Sequence, residues 1–424
     1  MRNQLGNLTI RNLIICYILL YSIMPIVARL TSIILTTYFY MAIVVMLVVL
    51  ILVLDRPENL NLYGSFLLPF VLYGLFTFFT TKQTFIMWGY QTLLFWLPVI
   101  LGYYFTQDLS RILGSYTKII LLALVVTMIT TIVGCIQNPN AARTLATVSS
   151  SEDSSYEYDM MNIGGYNFVY YMILLYPVII LAYKSHKIKI IPTVTITVII
   201  LLTVVYSEYT TALLLFILSS ALFFFRRNLS LRGIVIISIF SVLLLFVFTS
   251  VIVDFLHWLR NAIGSEVIAT RLDALAGGTI GLEQSEDKRL ELYLTSIERF
   301  MNHPLFGTSI YSIISDGGHS FILDSLARYG ILGGAILFFM YKKIYMRFFI
   351  PFKDKPGFGY VVWTFIQAII LSLVNTGMFL EVLCLFCPIL FYWIYGTESD
   401  IETKTEEIEN EDTVDSKHAS GLAG

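Results

Sequence analysis

Charge is what this sequence has least of. Asp, Glu, Lys and Arg make up 13% of its 424 residues, about half of what a water-soluble domain carries, which excludes an ordinary soluble fold. Cysteine is scarce as well. Cys16, Cys135, Cys384 and Cys387 lie in apolar surroundings, too few for a disulfide framework, and the Cys384-Leu-Phe-Cys387 spacing inside an apolar run reads as packing rather than redox chemistry. The five histidines are scattered without metal-ligand spacing, so no metal site is expected. No glycine-rich nucleotide loop is present, and neither a cofactor nor a nucleic-acid partner is expected. No internal repeat is visible, which counts against the repeat-built secondary transporters.

What is present is apolar. Hydrophobic residues form 57% of the chain and aromatic ones 15%, with a mean hydropathy of +0.78. Apolar stretches of roughly 17 to 25 residues are long enough to cross a bilayer. They fall near 10–28, 32–54, 62–80, 85–105, 113–136, 163–183, 188–206, 209–225, 232–253, 319–341, 359–376 and 379–396. The expectation is an all-α, polytopic transmembrane helix bundle of about twelve spans. The first stretch follows Arg2 and Arg11 without a small-residue cleavage site, so it reads as a retained helix.

The net charge of −2 conceals a split, because Glu398 to Asp415 holds nine acidic residues against one Lys. With the N-terminus inside, sixteen Lys and Arg fall in cytoplasmic segments, whereas the short outer connections carry only Arg29, Lys82 and Arg143. The positive-inside rule then puts both termini in the cytoplasm. Four regions result: spans one to nine over 1–253, a large extracytoplasmic loop over 254–318, spans ten to twelve over 319–396, and a disordered acidic tail over 397–424. Residues 137–162 read as a polar, mobile outer loop. In the large loop, Leu290, Tyr293, Leu294, Ile297 and Met301 recur at helical spacing with Lys288, Glu291, Glu298 and Asn302 elsewhere on the wheel, the pattern of an amphipathic helix at the interface.

The chemistry-bearing residues cluster where that loop meets the tenth span. His319 opens the span, and a neutral imidazole there can take a proton from a sugar hydroxyl near neutral pH; capping a helix at headgroup level is the competing reading. At 100° per residue His319, Leu323, Leu326 and Gly330 share one face, with Asp324 and Arg328 opposite. Asp324 and Arg328 could form an i, i+4 ion pair, yet ionisable groups within a span point to function. Arg271 and Arg289 belong to a set of loop cations suited to the oxygens of a diphosphate. Glu208 and Glu381, at the outer ends of their spans, could orient an acceptor sugar or mark helix ends. Gly330 and Gly334 form a small-xxx-small pair that lets helices approach.

The order Arg289-Leu-Glu-Leu-Tyr, His303-Pro-Leu-Phe-Gly, His319-Ser-Phe-Ile-Leu-Asp-Ser-Leu-Ala-Arg-Tyr-Gly-Ile-Leu-Gly resembles the superfamily of bacterial Wzy-type polysaccharide polymerases and O-antigen ligases. The motif likeness covers about 50 residues, and the span layout extends it loosely over the chain. The resemblance implies a GT-C-like, metal-independent membrane glycosyltransferase in the bacterial plasma membrane. Its substrate would be undecaprenyl-diphosphate-linked oligosaccharide in the outer leaflet, and its neighbours a flippase and a chain-length regulator. His319 matches the family histidine that activates the acceptor hydroxyl, and Arg289 and Arg271 match loop arginines that hold the donor diphosphate. Many ligases carry a Ser-Arg pair at the outer end of a mid-chain span; here the pair is Ser207-Glu208. That departure favours repeat-unit polymerisation over ligase-type transfer to lipid A-core. A lipid-linked oligosaccharide transporter is the remaining alternative.

Overall fold

The computed structural model describes residues 15–34, 60–80, 96–102, 113–139, 141–147, 153–222, 283–309 and 318–396, with Leu13 and scattered positions between 233 and 273. Arg271, the acidic tail and the spans expected at 32–54 and 232–253 fall outside the described residues, apart from single positions. Every element described is helical: α1 (Ile15–Ile23), α2 (Pro25–Ile34), α3 (Leu60–Thr80), α4 (Leu113–Gln137), α5 (Ala141–Thr147), α6 (Asp153–Met160), α7 (Tyr166–Lys184), α8 (Ile190–Ser207), α9 (Thr210–Ala221), α10 (Glu283–Asn302), α11 (Phe321–Phe348), α12 (Phe358–Val374) and α13 (Glu381–Tyr395). Among the described residues four helices are long and apolar enough to cross a membrane, Ser115–Gln137, Tyr166–Lys184, Ile190–Ser207 and Phe321–Phe352, or five if α1 and α2 count as one bent span.

Helix α7 is the centre. It is apolar on every side and unbroken burial runs from Phe168 to Ala182, as expected of a helix surrounded by others. Around it pack α8, α9, α12 and α13. Helix α8 is the opposite case: Ile191, Val194, Val198, Leu201 and Leu202 are exposed, an apolar outer surface that suits a bilayer rather than water. Since apolar contact discriminates poorly between helices in lipid, polar ties set the pairing. Gln367 Nε2 and Trp363 Nε1 on α12 both donate to Ser219 Oγ on α9, at 2.7 and 3.2 Å. Tyr360 donates to the Leu222 carbonyl at 3.0 Å, and Tyr341 on α11 donates to Ser372 Oγ on α12 at 3.0 Å. Gly102 lies where a Cβ would be 1.7 Å from the Cys384 carbonyl oxygen, so residues 96–102 meet α13 backbone to backbone. Cys384 and Cys387 are both wholly buried.

The first apolar stretch is not one straight helix. It bends by 109° between α1 and α2, because Pro25 has no N–H to continue the ladder and starts a new helix instead. The break leaves the Ile26 N–H without a carbonyl, and Asn162 Oδ1 accepts it at 3.3 Å. Asn162 also donates through Nδ2 to Thr127 and Thr130 on α4, each at 3.1 Å. The described parts of the polar segment 137–162 are therefore largely helical, α5 and α6, and packed against other helices, in contrast to the mobile loop expected from its composition. The Arg29 guanidinium lies over the Tyr156 ring at 4.8 Å, and Tyr209 donates to the Ala142 carbonyl at 2.7 Å.

The bundle has two chemically distinct ends. At one, Leu181 approaches Gly357 and Tyr395 donates to the Pro356 carbonyl at 2.9 Å. The chain segments there carry Lys184, Lys187, Lys189, Lys353 and Lys355. At the other, the start of α7 meets the α8–α9 hairpin through the Tyr166 and Tyr209 rings, 5.8 Å apart. His319, Glu208 and Glu381 belong to this second end.

Candidate functional site

The site is assembled around the start of α11. The sequence places His319 on a helical face shared with Leu323 and Gly330; the structure starts the helix at Phe321, with Ser320 as its N-cap. His319 therefore stands one residue before the cap, exposed, after a glycine held at φ +76°. Ser320 Oγ accepts the Leu323 N–H at 3.1 Å, which meets one of the donors a helix start leaves open.

Asp324 completes that start. Its Oδ2 accepts the Ser320 N–H at 3.0 Å, and its Oδ1 accepts the Ser296 hydroxyl of α10 at 2.6 Å. Both carboxylate oxygens thus serve the protein, and the residue pins the segment carrying His319 to the amphipathic helix. Arg328, four residues on, is exposed and has its guanidinium 6.0 Å from the Tyr329 ring.

Helix α11 does not run through. At Gly330 the backbone takes φ +65° and ψ −163°, a region essentially closed to residues with a Cβ. Into this break docks the turn His303-Pro-Leu-Phe-Gly307. The Pro304 and Leu305 carbonyls accept the N–H groups of Ile331 and Leu332 at 2.7 and 3.3 Å, and Thr308 N–H donates to the Ala327 carbonyl at 2.9 Å. Ser309 Oγ donates to the Arg328 carbonyl at 2.6 Å. The turn supplies what the interrupted ladder lacks, donors to its carbonyls and acceptors to its N–H groups, as an interrupted helix in an apolar setting requires. Gly330 thus serves a backbone break, a different role from the simple close helix approach that its spacing with Gly334 suggests.

Helix α10 brings the second motif to the same place. Tyr293 donates to the Val374 carbonyl at 3.1 Å, and Ser296 is buried against Asp324. Position 289 lies one turn before Tyr293, on the face that meets the ends of α11 and α12; the Arg289 side chain lies outside the described residues. The expected apolar stripe divides: Tyr293 turns inward, while Leu294, Ile297 and Met301 are exposed and continue into exposed Leu305 and Phe306. Tyr293 and Ser296, whose hydroxyls donate to the Val374 carbonyl and to Asp324, take the inner face.

Glu208 and Glu381 flank one aromatic cluster. Tyr170 lies 6.0 Å from Tyr209 and 6.0 Å from Phe379; Glu208 precedes Tyr209, and Tyr171 donates a hydrogen bond to Glu381. Glu208 closes α8 in the left-handed region at φ +60° and is buried; Phe379 is left-handed too, at φ +54°. Such conformations are uncommon in residues other than glycine. Glu381 opens a π-turn, Glu381–Phe386, a feature frequent at functional sites. The segment 374–381 links this cluster to His319, since the Asn375 carbonyl accepts the Phe321 N–H at 2.8 Å.

The bundle end thus presents an imidazole, a helix face bearing position 289, and two carboxylates on a tyrosine cluster. That inventory can accept a proton, hold an anion and grip hydroxyl groups. Sequence reasoning missed Ser296, Tyr171 and Asn375. None carries a periodic or motif signal, since each matters through a contact with a distant segment. No protein-family model matches the chain, and no curated protein matches it.

Proposed function

We propose that this chain polymerises undecaprenyl-diphosphate-linked oligosaccharide repeat units by glycosyl transfer at the outer leaflet of a bacterial plasma membrane. In this reading it is a twelve-span, GT-C-like glycosyltransferase with both termini cytoplasmic, working beside a flippase and a chain-length regulator. The observation that carries the reading is the meeting of three chain segments at one end of the bundle. The His319 segment and the α10 face of position 289 are joined through Asp324 and Ser296, with the end of α12 beside both. The lysine-bearing segments lie at the opposite end, in keeping with the positive-inside rule.

The chemistry asks little beyond placement and charge. The acceptor hydroxyl gives its proton to His319 as its oxygen bonds to the donor's anomeric carbon. The bond from that carbon to the phosphate oxygen breaks, and undecaprenyl diphosphate leaves with its new charge met by Arg289 and Arg271. Glu208 and Glu381 orient the acceptor sugar. The test is incubation of purified protein with a short-chain polyprenyl-diphosphate oligosaccharide, followed by mass analysis. A ladder at repeat-unit spacing is expected. Transfer to another lipid without lengthening would identify a ligase instead, and unchanged substrate would end the proposal.

A further inference from the structure

Asn375 follows α12 with an extended backbone, φ −141° and ψ 165°. Its carbonyl accepts the N–H of Phe321, and the preceding carbonyl, of Val374, accepts the Tyr293 hydroxyl. These two bonds fix the 374–375 peptide between the amphipathic helix and the start of α11. Both use backbone oxygens, which any residue at 375 would provide. The side chain does something else. Its Nδ2 is buried and has no hydrogen-bond partner among the described residues, although nearly all buried donors in folded proteins have one. The described residues give this amide no structural task, yet the fold places it where Phe321 lies two residues, roughly 7 Å at full extension, from His319.

We infer that the Asn375 carboxamide is a substrate-binding residue, donating its N–H to an oxygen on the acceptor sugar that presents its hydroxyl to His319. A neutral amide suits a neutral hydroxyl or ring oxygen, whereas a diphosphate is met by guanidinium groups. The inference rests on the polymerase reading above and adds to it the group that grips the sugar beside the base.

The test uses the full chain in nanodiscs, with two lipids as probes: the undecaprenyl-diphosphate oligosaccharide fraction extracted from the source membranes, and sugar-free undecaprenyl diphosphate. Asn375→Ala removes the donor, and Asn375→Leu replaces it with an apolar group of similar size. Both variants should melt no lower than the parent, bind the sugar-bearing lipid about tenfold more weakly, and bind the sugar-free lipid unchanged. Unaltered binding of the sugar-bearing lipid would overturn the inference. Equal weakening for both lipids would do so too, by pointing to the diphosphate, as would a lowered melting temperature, by revealing a partner for the amide within the fold. A parent protein that binds the sugar-bearing lipid but yields no ladder would end the polymerase reading, while the variants' binding would still decide the sugar contact.

Discussion

Asp324 accepts a hydrogen bond of 2.6 Å from the Ser296 hydroxyl, 28 residues earlier in the chain. With its second oxygen on the Ser320 N–H, one carboxylate locks the amphipathic helix to the residue after His319. Asp324→Ala is expected to cost about 1–3 kcal/mol and to lower elongation along with it. The decisive measurement is a double-mutant cycle with Ser296→Ala, in which melting should show a coupling of about 0.5–3 kcal/mol. Additive effects would mean that the two side chains act independently.

His319 should behave differently. It is exposed and precedes the N-cap, so the helix start held by Ser320 and Asp324 does not depend on an imidazole there. His319→Ala should keep the parent's melting temperature and size-exclusion profile while elongation falls about 10²–10⁴-fold, the usual contribution of a positioned base. Full elongation by a folded variant would remove His319 from the chemistry.

The three left-handed glycines of this region should part company. A Cβ at Gly330 would stand 2.4 Å from the Leu305 carbonyl oxygen, and one at Gly307 would stand 2.3 Å from the Arg328 carbonyl carbon. Both obstacles are backbone. Gly330→Ala and Gly307→Ala are expected to cost more than about 3 kcal/mol and to leave little monodisperse protein. Gly318, also at positive φ, has nothing among the described residues within 4 Å of where its Cβ would be. Gly318→Ala should cost only the conformational strain, about 1–2 kcal/mol, and purify normally. Equal tolerance at all three positions would contradict the docked turn.

At Asp159 burial pushes the carboxyl pKa up, and the nearby Arg29 guanidinium opposes it without winning. The folded chain therefore binds this proton more tightly than the unfolded one. Stability from the group is complete below the unfolded value, about 3.9, and is lost as pH rises through the higher folded value. Asp159→Asn should accordingly melt higher than the parent at pH 7 and match it near pH 3.5. A lower melting point at pH 7 would show that the attraction to Arg29 outweighs the burial.

Much of the helical layout was legible because apolar runs long enough to cross lipid leave little alternative to a helix. The stretches near 113–136, 163–183 and 188–206 coincide with α4, α7 and α8. What hydropathy misses is the backbone. Gly330 lies inside an apolar run and gives no warning of a break, and Pro25 bends the first stretch through a partner, Asn162, that lies 136 residues away. The polar segment 137–162 looked loose because its anchors, Tyr209 on Ala142 and Arg29 over Tyr156, come from other helices. At the site, motif order singled out His319 and Arg289. The contact that ties their segments together runs through Ser296, which no periodicity marks.

The interruption at Gly330 also sets a depth. From Ile331 to Tyr341, just before the Lys342-Lys343 pair, the lower piece of α11 measures roughly 17 Å at 1.5 Å per residue, little more than half the ~30 Å hydrocarbon thickness of a bilayer. The upper piece, Phe321 to Tyr329, adds roughly 13 Å more. If the two pieces together cross the lipid, the histidine stands at the level of the headgroups. In the proposed reaction the first sugar of a lipid-linked glycan would rest there too, one diphosphate above its tail, so that glycan and imidazole would meet by lateral diffusion without either leaving its layer.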